Sequence, residues 1–501
     1  MKIGMIIAVL AYELATIIGI GWWLSRRETK AEHNAEGGFT LGGRSLPVGV
    51  VAATMALTVL GTAHILGVFE MSWYMGAAAV WFSIAHVLLL VVVCLSTGLW
   101  VRRLGVTTVP ELLEDLFGKG TRLLVSCVMA GVIFGILTVE TQGLGIIIAA
   151  MTGWSIEHGA IAGGLIGILY VVIAGMKEVG WINLFNAAVM YVGLILSTIF
   201  LALRLPGSDF HSVENYYATS GNGFMLSIFG NADIMITFAL GTVIAVVFSQ
   251  SINQMLLQAA MSAKSEMTIK KALWIAAPVN GLFGVFAVVI GLTAKSIPEF
   301  NALGPKVAAT SMLVNYLPPW LAALLLASFL AAVLSTFAMT SLSPATIFSM
   351  DIYKNLYKPD ASEDEIRRVT RIAITVLAVI AIGVASFLPP ILAAMNWLFA
   401  WLIPVFWVVI FGILWKRSTN AAVITLIVTW ILNSAWSFTP IATYLGVAEL
   451  PNSYLALGAS LLIGVPANLL LPGKVGYFRS KKYRQRRDSA EAAKQLSNAA
   501  A

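Results

Sequence analysis

The sequence predicts an all-α polytopic membrane protein, and three observations support this prediction. Hydrophobic residues make up 59% of the 501 residues, whereas only 11% are charged. The mean hydropathy is +0.88, far above the value expected of a soluble domain. Apolar segments of about 20 residues, the length of a membrane-crossing helix, recur from end to end. We therefore expect about 13 transmembrane helices.

Each predicted span is an apolar run bounded by polar, glycine-rich or charged residues. The runs lie at approximately 3–24, 48–69, 75–100, 122–152, 157–176, 181–203, 233–258, 271–294, 319–350, 369–387, 391–415, 419–440 and 453–472.

Basic residues predict how the chain is oriented in the membrane. If the N-terminus lies outside, every Lys and Arg among the 31 falls on the inner side except Lys2, Arg204, Lys295 and Lys306. Positively charged connections stay in the cytoplasm, so we expect the N-terminus outside and the C-terminus inside the cell membrane. The first span has no cleavage site after it and is expected to be retained.

Composition and motifs argue against several classes of function. The net charge of +7 is distributed over many connections and does not predict a nucleic-acid partner. Cys94 and Cys127 have neither disulfide nor metal spacing. There is no nucleotide-binding loop and no soluble region large enough for an ATPase or kinase. We expect no enzymatic activity and no obligate protein partner, and any transport must use a gradient.

The segment from Phe329 to Lys354 predicts a cation site. Ala332, Ser335 and Thr336 stand at i, i+3 and i+4, so one helical face presents two hydroxyls and a nearby carbonyl. Oxygen ligands without a carboxylate suit a weakly held monovalent ion. The alternative is that these hydroxyls bond to the preceding turn or permit close helix packing.

The second span predicts a broken helix. Thr58, Gly61, Thr62 and His64 interrupt it near its middle. Backbone carbonyls freed there are tolerated in a membrane only where they line a site. His64 is a candidate solute contact, because an ionisable residue at mid-membrane is energetically costly and typically marks a functional site. It is equally well a hydrogen-bonded packing residue.

Further polar residues lie in other spans. Glu140 must be protonated, paired or in a polar cavity, so it is a protonated acid, a contact to a cationic or hydroxylated solute, or a structural hydrogen-bond partner. Gln142 lies beside it. Asn253 and Gln254 lie near the end of the seventh span, and Asn253 can hydrogen-bond the broken backbone of the second span.

Four motifs in order resemble the sodium:solute symporter family, which includes proline, sialic acid and sugar carriers. The resemblance covers roughly residues 35 to 420. The matching residues are Phe39 with Gly43 to Leu46, then Asn253, Gln254, Gln258 and Ala263 to Ser265, then Ala331 to Thr336 with Asp351 to Lys354, and finally Trp415 to Arg417.

The resemblance implies which residues bind sodium. The family's shared site falls on the backbone carbonyls of Leu57 and Leu60 and on Ala332, Ser335 and Thr336. A second sodium is in doubt, because Asn183 and Ala338 stand where members with two sites carry an aspartate and a hydroxyl. Sodium is thus expected as the co-transported ion.

The resemblance also implies a fold and a mechanism. The fold is a leucine-transporter-like core of two inverted five-helix repeats. The expected function is sodium-coupled symport of a small polar organic solute across the cytoplasmic membrane by alternating access, with the solute at His64, Glu140, Gln142, Asn253 and Gln254. The alternatives are a proton-coupled or uncoupled carrier of the same fold and a non-transporting sensor.

The domain boundaries follow from the expected repeats. They are residues 1–45 for the first helix and cytoplasmic linker, 46–203 for the first repeat, 204–232 for an extracellular loop, 233–416 for the second repeat, 417–473 for two additional helices and 474–501 for a basic cytoplasmic tail.

Overall fold

The computed structural model describes residues 2–26, 38–173, 176–385, 387, 391–481 and 483. Most of the predicted charged linker, at 27–37, and most of the predicted basic tail, at 484–501, lie outside the described residues.

The described chain is almost entirely helical. The principal helices are α1 (Lys2–Ser25), α2 (Val48–Val59), α3 (Val68–Met75), α4 (Trp81–Val92), α5 (Val109–Phe117), α6 (Lys119–Thr152), α7 (Ile156–Ile173), α8 (Met176–Arg204), α9 (Gly241–Gln250), α10 (Gln254–Met261), α11 (Glu266–Ser296), α12 (Pro319–Ile347), α13 (Glu363–Ala385), α14 (Ile391–Ala400), α15 (Ile403–Ile410), α16 (Thr419–Phe438) and α17 (Asn452–Leu470).

Shorter pieces extend or connect these helices. Short α-helices cover Gly38–Leu41, Gly98–Leu104, His211–Thr219, Ala232–Ile234, Pro298–Asn301, Ala308–Tyr316 and Ile441–Tyr444. Turns of π-helix cover Ala63–Gly67, Val93–Thr97, Met235–Leu240, Phe348–Tyr357 and Phe411–Trp415, and turns of 3₁₀-helix cover Gly42–Arg44, Gly76–Val80, Pro206–Ser208, Gly223–Leu226 and Tyr477–Arg479. Strands β1 (Lys416–Arg417) and β2 (Lys474–Val475) pair antiparallel, with Lys416 opposite Val475.

The architecture confirms the predicted all-α, multi-pass class. Within the described residues, eleven helical stretches are long and apolar enough to cross a membrane. Two further predicted spans are represented by shorter apolar helices, Val48–Val59 and Ile156–Val172. The exact count of thirteen is therefore not confirmed.

Three helices are interrupted inside the bundle. The chain leaves helical geometry at Leu60 (φ −95°, ψ 55°) between α2 and the turn that leads into α3. It leaves it again between α9 and α10, where Asn253 (φ −71°, ψ 130°) precedes α10. The first of these interruptions was predicted. The third interruption, between α14 and α15, was not predicted. Pro404 lies in the first turn of α15, where a proline needs no hydrogen-bond partner, so the residue alone does not indicate a break.

Helix α12 forms the centre of the bundle. Helix α12 and its π-helical extension together form the segment Pro319–Tyr357. In the most apolar 18-residue stretch of this segment 94% of the residues are buried, compared with 17% in the corresponding stretch of α1. Nearly every face of α12 is therefore covered by other parts of the bundle, as expected of a buried helix. Small residues on its neighbours permit this close packing: a Cβ on Gly167 of α7 would lie 2.6 Å from the Phe337 ring.

The predicted extracellular loop is folded against the bundle. Its helix His211–Thr219 packs on α11, where the hydroxyl of Tyr217 donates to the carbonyl of Leu292 at 3.0 Å. Farther along, Trp81 Nε1 donates to the carbonyl of Ile228 at 2.9 Å. These contacts anchor the segment 204–232, for which the sequence predicted no structure.

The close approach of α6 to the first break yields a stability prediction. A Cβ on Gly143 would overlap Thr62 Oγ1 and lie 2.5 Å from its methyl carbon. We expect Gly143→Ala to destabilise the protein by about 1–3 kcal/mol through overpacking, measured as a lower midpoint of thermal unfolding in detergent. Gly131→Ala on the same helix is the control, because no atom lies within 4 Å of its Cβ position. Equal midpoints for the two variants would contradict this packing.

Candidate sodium and solute site

The first break is held open by contacts with two neighbouring helices. The backbone N–H of Thr62 donates to Glu140 Oε2 of α6 at 2.8 Å. A Cβ on Gly61 would lie 2.5 Å from Glu140 Oε2 and 2.6 Å from Thr336 Oγ1 of α12. Only glycine fits between these two side chains. The break therefore lies between the carboxylate of Glu140 and the hydroxyl of Thr336.

Some of the predicted sodium ligands are in contact at this break. Thr336 Oγ1 donates to the carbonyl oxygen of Leu57 at 2.8 Å and lies 3.4 Å from that of Ala332. Leu60, where the helix ends, is fully buried. Ser335 Oγ is buried and has no hydrogen-bond partner among the described residues. The Thr336 hydroxyl beside two carbonyls, and the unpartnered hydroxyl of the adjacent residue, are oxygen donors of the kind that fits an alkali cation.

Glu140 is the acidic group closest to this donor set. Its side chain is 1% exposed, and within the described part of the chain it forms no salt bridge. Glu140 Oε2 and Thr336 Oγ1 lie 2.5 and 2.6 Å from the same point beside Gly61, so they are within about 5 Å of each other. By accepting from Thr62, Glu140 also satisfies one of the amides freed where the second half-helix begins.

Two buried histidines connect the break to α4. His64 Nδ1 lies 2.9 Å from the carbonyl oxygen of Val59, and its Nε2 lies 3.0 Å from Ser83 Oγ. The ring of His86 stacks edge-on against His64 at a centroid distance of 4.4 Å, and its Nδ1 lies 2.8 Å from the carbonyl oxygen of Phe82. Both ring nitrogens of His64 thus have protein partners in this conformation.

The second break is stabilised by its own amides. Asn253 Nδ2 donates to Gln250 Oε1 at 3.0 Å, and Asn253 Oδ1 caps α10. Gln254 instead points towards the start of α5, where its Oε1 accepts from Val109 N at 2.8 Å and its Nε2 donates to Thr107 O at 3.2 Å. In this conformation both side chains are occupied by protein contacts. Gln142 differs, because its buried Oε1 has no partner among the described residues.

A small cavity of about 10 Å³ lies between the two breaks. That volume holds about one water molecule. Of the five predicted solute contacts, only Glu140 lines it; His64, Gln142, Asn253 and Gln254 stay predictions for a conformation with a larger cavity. Its lining residues are Thr58, Val59, Gly61, Ala63, Phe82, His86, Ile136, Glu140, Gln250, Met255, Thr336, Met395 and Phe399.

Several lining residues were not predicted from the sequence. Phe82, Met395 and Phe399 come from α4 and α14, and an aromatic or methionine in an apolar run looks the same whether it faces lipid or a cavity. Gln250 could have been found, because it is a polar residue directly before the second break.

Comparison with known proteins agrees with this geometry. The model of the sodium:solute symporter family matches residues 39–428. The chain is 25% identical over 451 residues to a sodium/glucose cotransporter of Vibrio parahaemolyticus, covering 83% of this chain and 82% of that protein. It is 28% identical over 337 residues to a sodium/proline symporter of Haemophilus influenzae, covering 63% and 64% of the two chains.

The family match covers more than half of the chain. The chain belongs to the sodium:solute symporter family. Among solved structures, a Na⁺-coupled sialic acid symporter in a substrate-bound outward-open state matches with a TM-score of 0.78, at 18% identity and over 94% of this chain and 99% of that one. This confirms the predicted leucine-transporter-like fold. Sodium-coupled symport by alternating access is therefore the function of this transporter, in preference to proton-coupled, uncoupled or sensory alternatives.

The prediction about a second sodium site in this symporter depends on Asn183 and Ala338. Both side-chain atoms of Asn183 are buried without a partner among the described residues. Ala338 is buried in α12. An amide and a methyl group provide fewer oxygen ligands than an aspartate and a hydroxyl. That these two residues disfavour a second sodium site stays a prediction.

One end of the symporter is closed by a buried ion pair. Asp351 lies in the π-helical segment that follows α12. Its Oδ1 lies 2.6 Å from a guanidinium nitrogen of Arg122 of α6 and accepts a hydrogen bond from Thr108 Oγ1 at 2.8 Å. Arg122 also pairs with Glu114 of α5 at 2.6 Å. These residues belong to the end that we predict to face the cytoplasm.

A second layer of polar contacts lies next to this pair. Gln258 Nε2 donates to the carbonyl of Thr40 at 2.7 Å, and its Oε1 accepts from Ser343 Oγ at 2.9 Å. Leu46 N donates to Ser262 O at 3.1 Å, which ties the start of α2 to the end of α10. The entry to α2, the end of α10 and the end of α12 are therefore closed against one another.

The ion pair gives a prediction about opening at this end. Removing one partner of a buried pair costs about 3–5 kcal/mol, so Asp351→Asn should favour an open conformation. We expect a cysteine introduced at buried Thr346 to react with a membrane-impermeant thiol reagent at least about tenfold faster in the Asp351→Asn background. The measurement uses a chain in which Cys94 and Cys127 are replaced.

Asp364→Asn is the matched control for this labelling experiment, because Asp364 is an exposed acid on α13. It should leave the reaction rate at the introduced cysteine unchanged. Equal rates in the Asp351→Asn and parent proteins would contradict the role of the pair in closure.

Proposed function

We propose that Leu57, Leu60, Ala332, Ser335 and Thr336 bind the sodium ion that this symporter carries. The hydrogen bond from Thr336 Oγ1 to the Leu57 carbonyl, across the break, is the observation that supports the assignment most strongly. The buried and unpartnered Ser335 Oγ supports it as well. Together they support a site formed by oxygen atoms of α12 and the open end of α2.

The chemistry of these ligands suits a transported ion. Three backbone carbonyls and two hydroxyls are neutral, so they replace water around a monovalent cation without binding it too tightly to be released. Glu140, within about 5 Å of Thr336 Oγ1, adds negative charge near the site. A carboxylate at that distance attracts a cation more strongly than it would in water, because the site is dry.

Sodium at this position would couple ion binding to the conformation of the bundle. It would bridge α2 to α12, and these helices belong to different five-helix repeats. The bridge exists only while the two repeats are close at this level, so sodium favours the conformations that keep them close. A solute held by the same break gains affinity from that preference, and by linkage it increases the affinity for sodium.

The energy available from one ion is sufficient for accumulation. Moving one positive charge inward at a potential of about 100 mV supplies about 2.3 kcal/mol. That is more than a tenfold concentration ratio for a neutral solute, before the sodium gradient is added.

We propose the solute site between the two breaks, at His64, Glu140, Gln142, Asn253 and Gln254. The cavity of about 10 Å³ is too small for an organic solute. Binding therefore needs the half-helices to separate, and Asn253 and Gln254 to exchange their present partners for solute. Glu140 already faces the cavity.

We further propose the orientation and setting of the symporter. The distribution of Lys and Arg supports an N-terminus outside and a C-terminus inside the cytoplasmic membrane. We propose that the protein works without an obligate protein partner, without nucleic acid and without enzymatic activity. The predicted division into two repeats, with boundaries at 46–203 and 233–416, is part of this proposal.

The sodium assignment is tested by removing hydroxyls one at a time. We expect Ser335→Ala and Thr336→Ala each to raise the sodium concentration needed for half-maximal thermal stabilisation by at least about tenfold, because each removes one ligand from a dry site. Potassium should not replace sodium in the unmodified protein.

Ser328→Ala is the matched control for the hydroxyl substitutions. Ser328 lies two turns earlier on α12, is buried, and donates only to the Leu325 carbonyl at 2.7 Å. Its loss should leave the sodium response unchanged. An unaltered sodium response in both Ser335→Ala and Thr336→Ala would disprove the proposed site.

A further inference from the structure

Glu140 is a buried acid that forms no salt bridge with a lysine or arginine of the described part of the protein. Its side chain is 1% exposed, and it accepts a hydrogen bond from the Thr62 amide at 2.8 Å. No lysine or arginine is among the described residues that line the cavity. Burying a carboxylate without a cation is expensive. An ionised Glu140 therefore needs a cation supplied by a ligand.

Sodium at the proposed site would lie close to this acid. Gly61 lies next to both groups, since its Cβ position is 2.6 Å from Thr336 Oγ1 on α12 and 2.5 to 2.7 Å from the two oxygens of Glu140 on α6. Thr336 also lines the cavity, so sodium and a solute would both be attracted by Glu140. The carboxylate also borders the cavity, and a ligand in the cavity meets it directly.

The rest of the cavity wall selects among classes of solute. Phe82 and Phe399 supply aromatic rings, and Met255 and Met395 supply polarizable thioethers. Aromatic faces attract an organic cation, and the attraction is larger where water is excluded. An anionic solute would face the carboxylate without a compensating cation in this wall.

We infer that the solute of this symporter carries an ammonium group, primary to quaternary, that binds against Glu140 with its carbon substituents on Phe82 and Phe399. The inference rests on the proposed function and specifies the class of solute at the same site. Glu140 is then the residue that determines specificity by charge, whereas the hydroxyls of α12 bind sodium. A cation or a zwitterion meets the requirement, because only the ammonium faces Glu140.

The test compares solutes of equal shape and different charge on the full-length protein in detergent with sodium present. Choline is paired with 3,3-dimethylbutan-1-ol, in which carbon replaces the ammonium nitrogen, and proline is paired with cyclopentanecarboxylate. Glucose represents neutral polyols. We expect thermal stabilisation by at least one ammonium compound and, for its uncharged or anionic counterpart, an apparent affinity at least about tenfold weaker.

Glu140→Gln tests the residue itself. It should weaken binding of the ammonium compound at least about tenfold, and it should weaken stabilisation by sodium alone to a smaller extent. Glu157→Gln, on the exposed start of α7, is the matched control and should bind like the unmodified protein. If Glu140→Gln does not fold, the comparison of matched solutes on the unmodified protein still decides the question.

Three results would overturn the inference. One is stabilisation by glucose or cyclopentanecarboxylate alone, or by none of the compounds. Another is equal binding of the ammonium compound by the Glu140→Gln and unmodified proteins. The third is loss of sodium stabilisation in Glu140→Gln to the same extent as loss of solute binding, which would assign Glu140 to the ion site. Failure of the proposed function is distinct, because it removes the sodium response of the unmodified protein.

Discussion

The structure depends on one constraint: the backbone opened between α2 and α3 must find polar partners inside a membrane. Carbonyl and amide groups freed from a helix cannot be left unsatisfied where no water is present. Here the Leu57 carbonyl accepts from Thr336 Oγ1 at 2.8 Å, and the Thr62 amide donates to Glu140 at 2.8 Å. The glycine at 61 follows from these contacts, because a larger residue would displace both partners.

This constraint links three helices that must move during transport. Helix α12 supplies a hydroxyl to the break, α6 supplies a carboxylate, and α4 supplies Ser83 to His64 of the turn that follows. Movement of any of these helices exposes polar backbone unless a ligand replaces the lost contact. In the proposed assignment sodium and solute are such ligands, so their binding and the conformational change are parts of one equilibrium.

The closed end of the symporter shows how the same chain stabilises a conformation without ligand. Asp351 is buried in contact with both Arg122 and Thr108. A buried pair of this kind adds little net stability compared with apolar residues, but it is sensitive to geometry. It therefore suits a contact that must form fully in one conformation and separate in another. The cavity between the two breaks holds about one water molecule.

The sequence was a good guide where a physical rule acts locally. Glycine and polar residues at 58 to 64 predicted the first break, and helical periodicity predicted that Ser335 and Thr336 share a face. It was a poorer guide where partners come from distant segments. The amide of Gln254 points to Thr107 and Val109, because the start of α5 lies there only in the folded chain.

Two other features also needed the folded chain. The interruption before Ile403 is hidden in an uninterrupted apolar run, and Pro404 alone does not distinguish a new helix from a kink. The aromatic lining of the cavity depends on which faces of α4 and α14 turn inward. Both are consequences of packing that no short stretch of sequence encodes.

The central claim is that oxygens of α12 and of the broken helix bind one sodium ion between them. Its most direct test is a pair of experimental structures, one determined in sodium and one with potassium in its place. The account predicts density for an ion within coordination distance of Leu57 O, Ser335 Oγ and Thr336 Oγ1 in sodium only. Ion density elsewhere, or these oxygens apart in both structures, would contradict it.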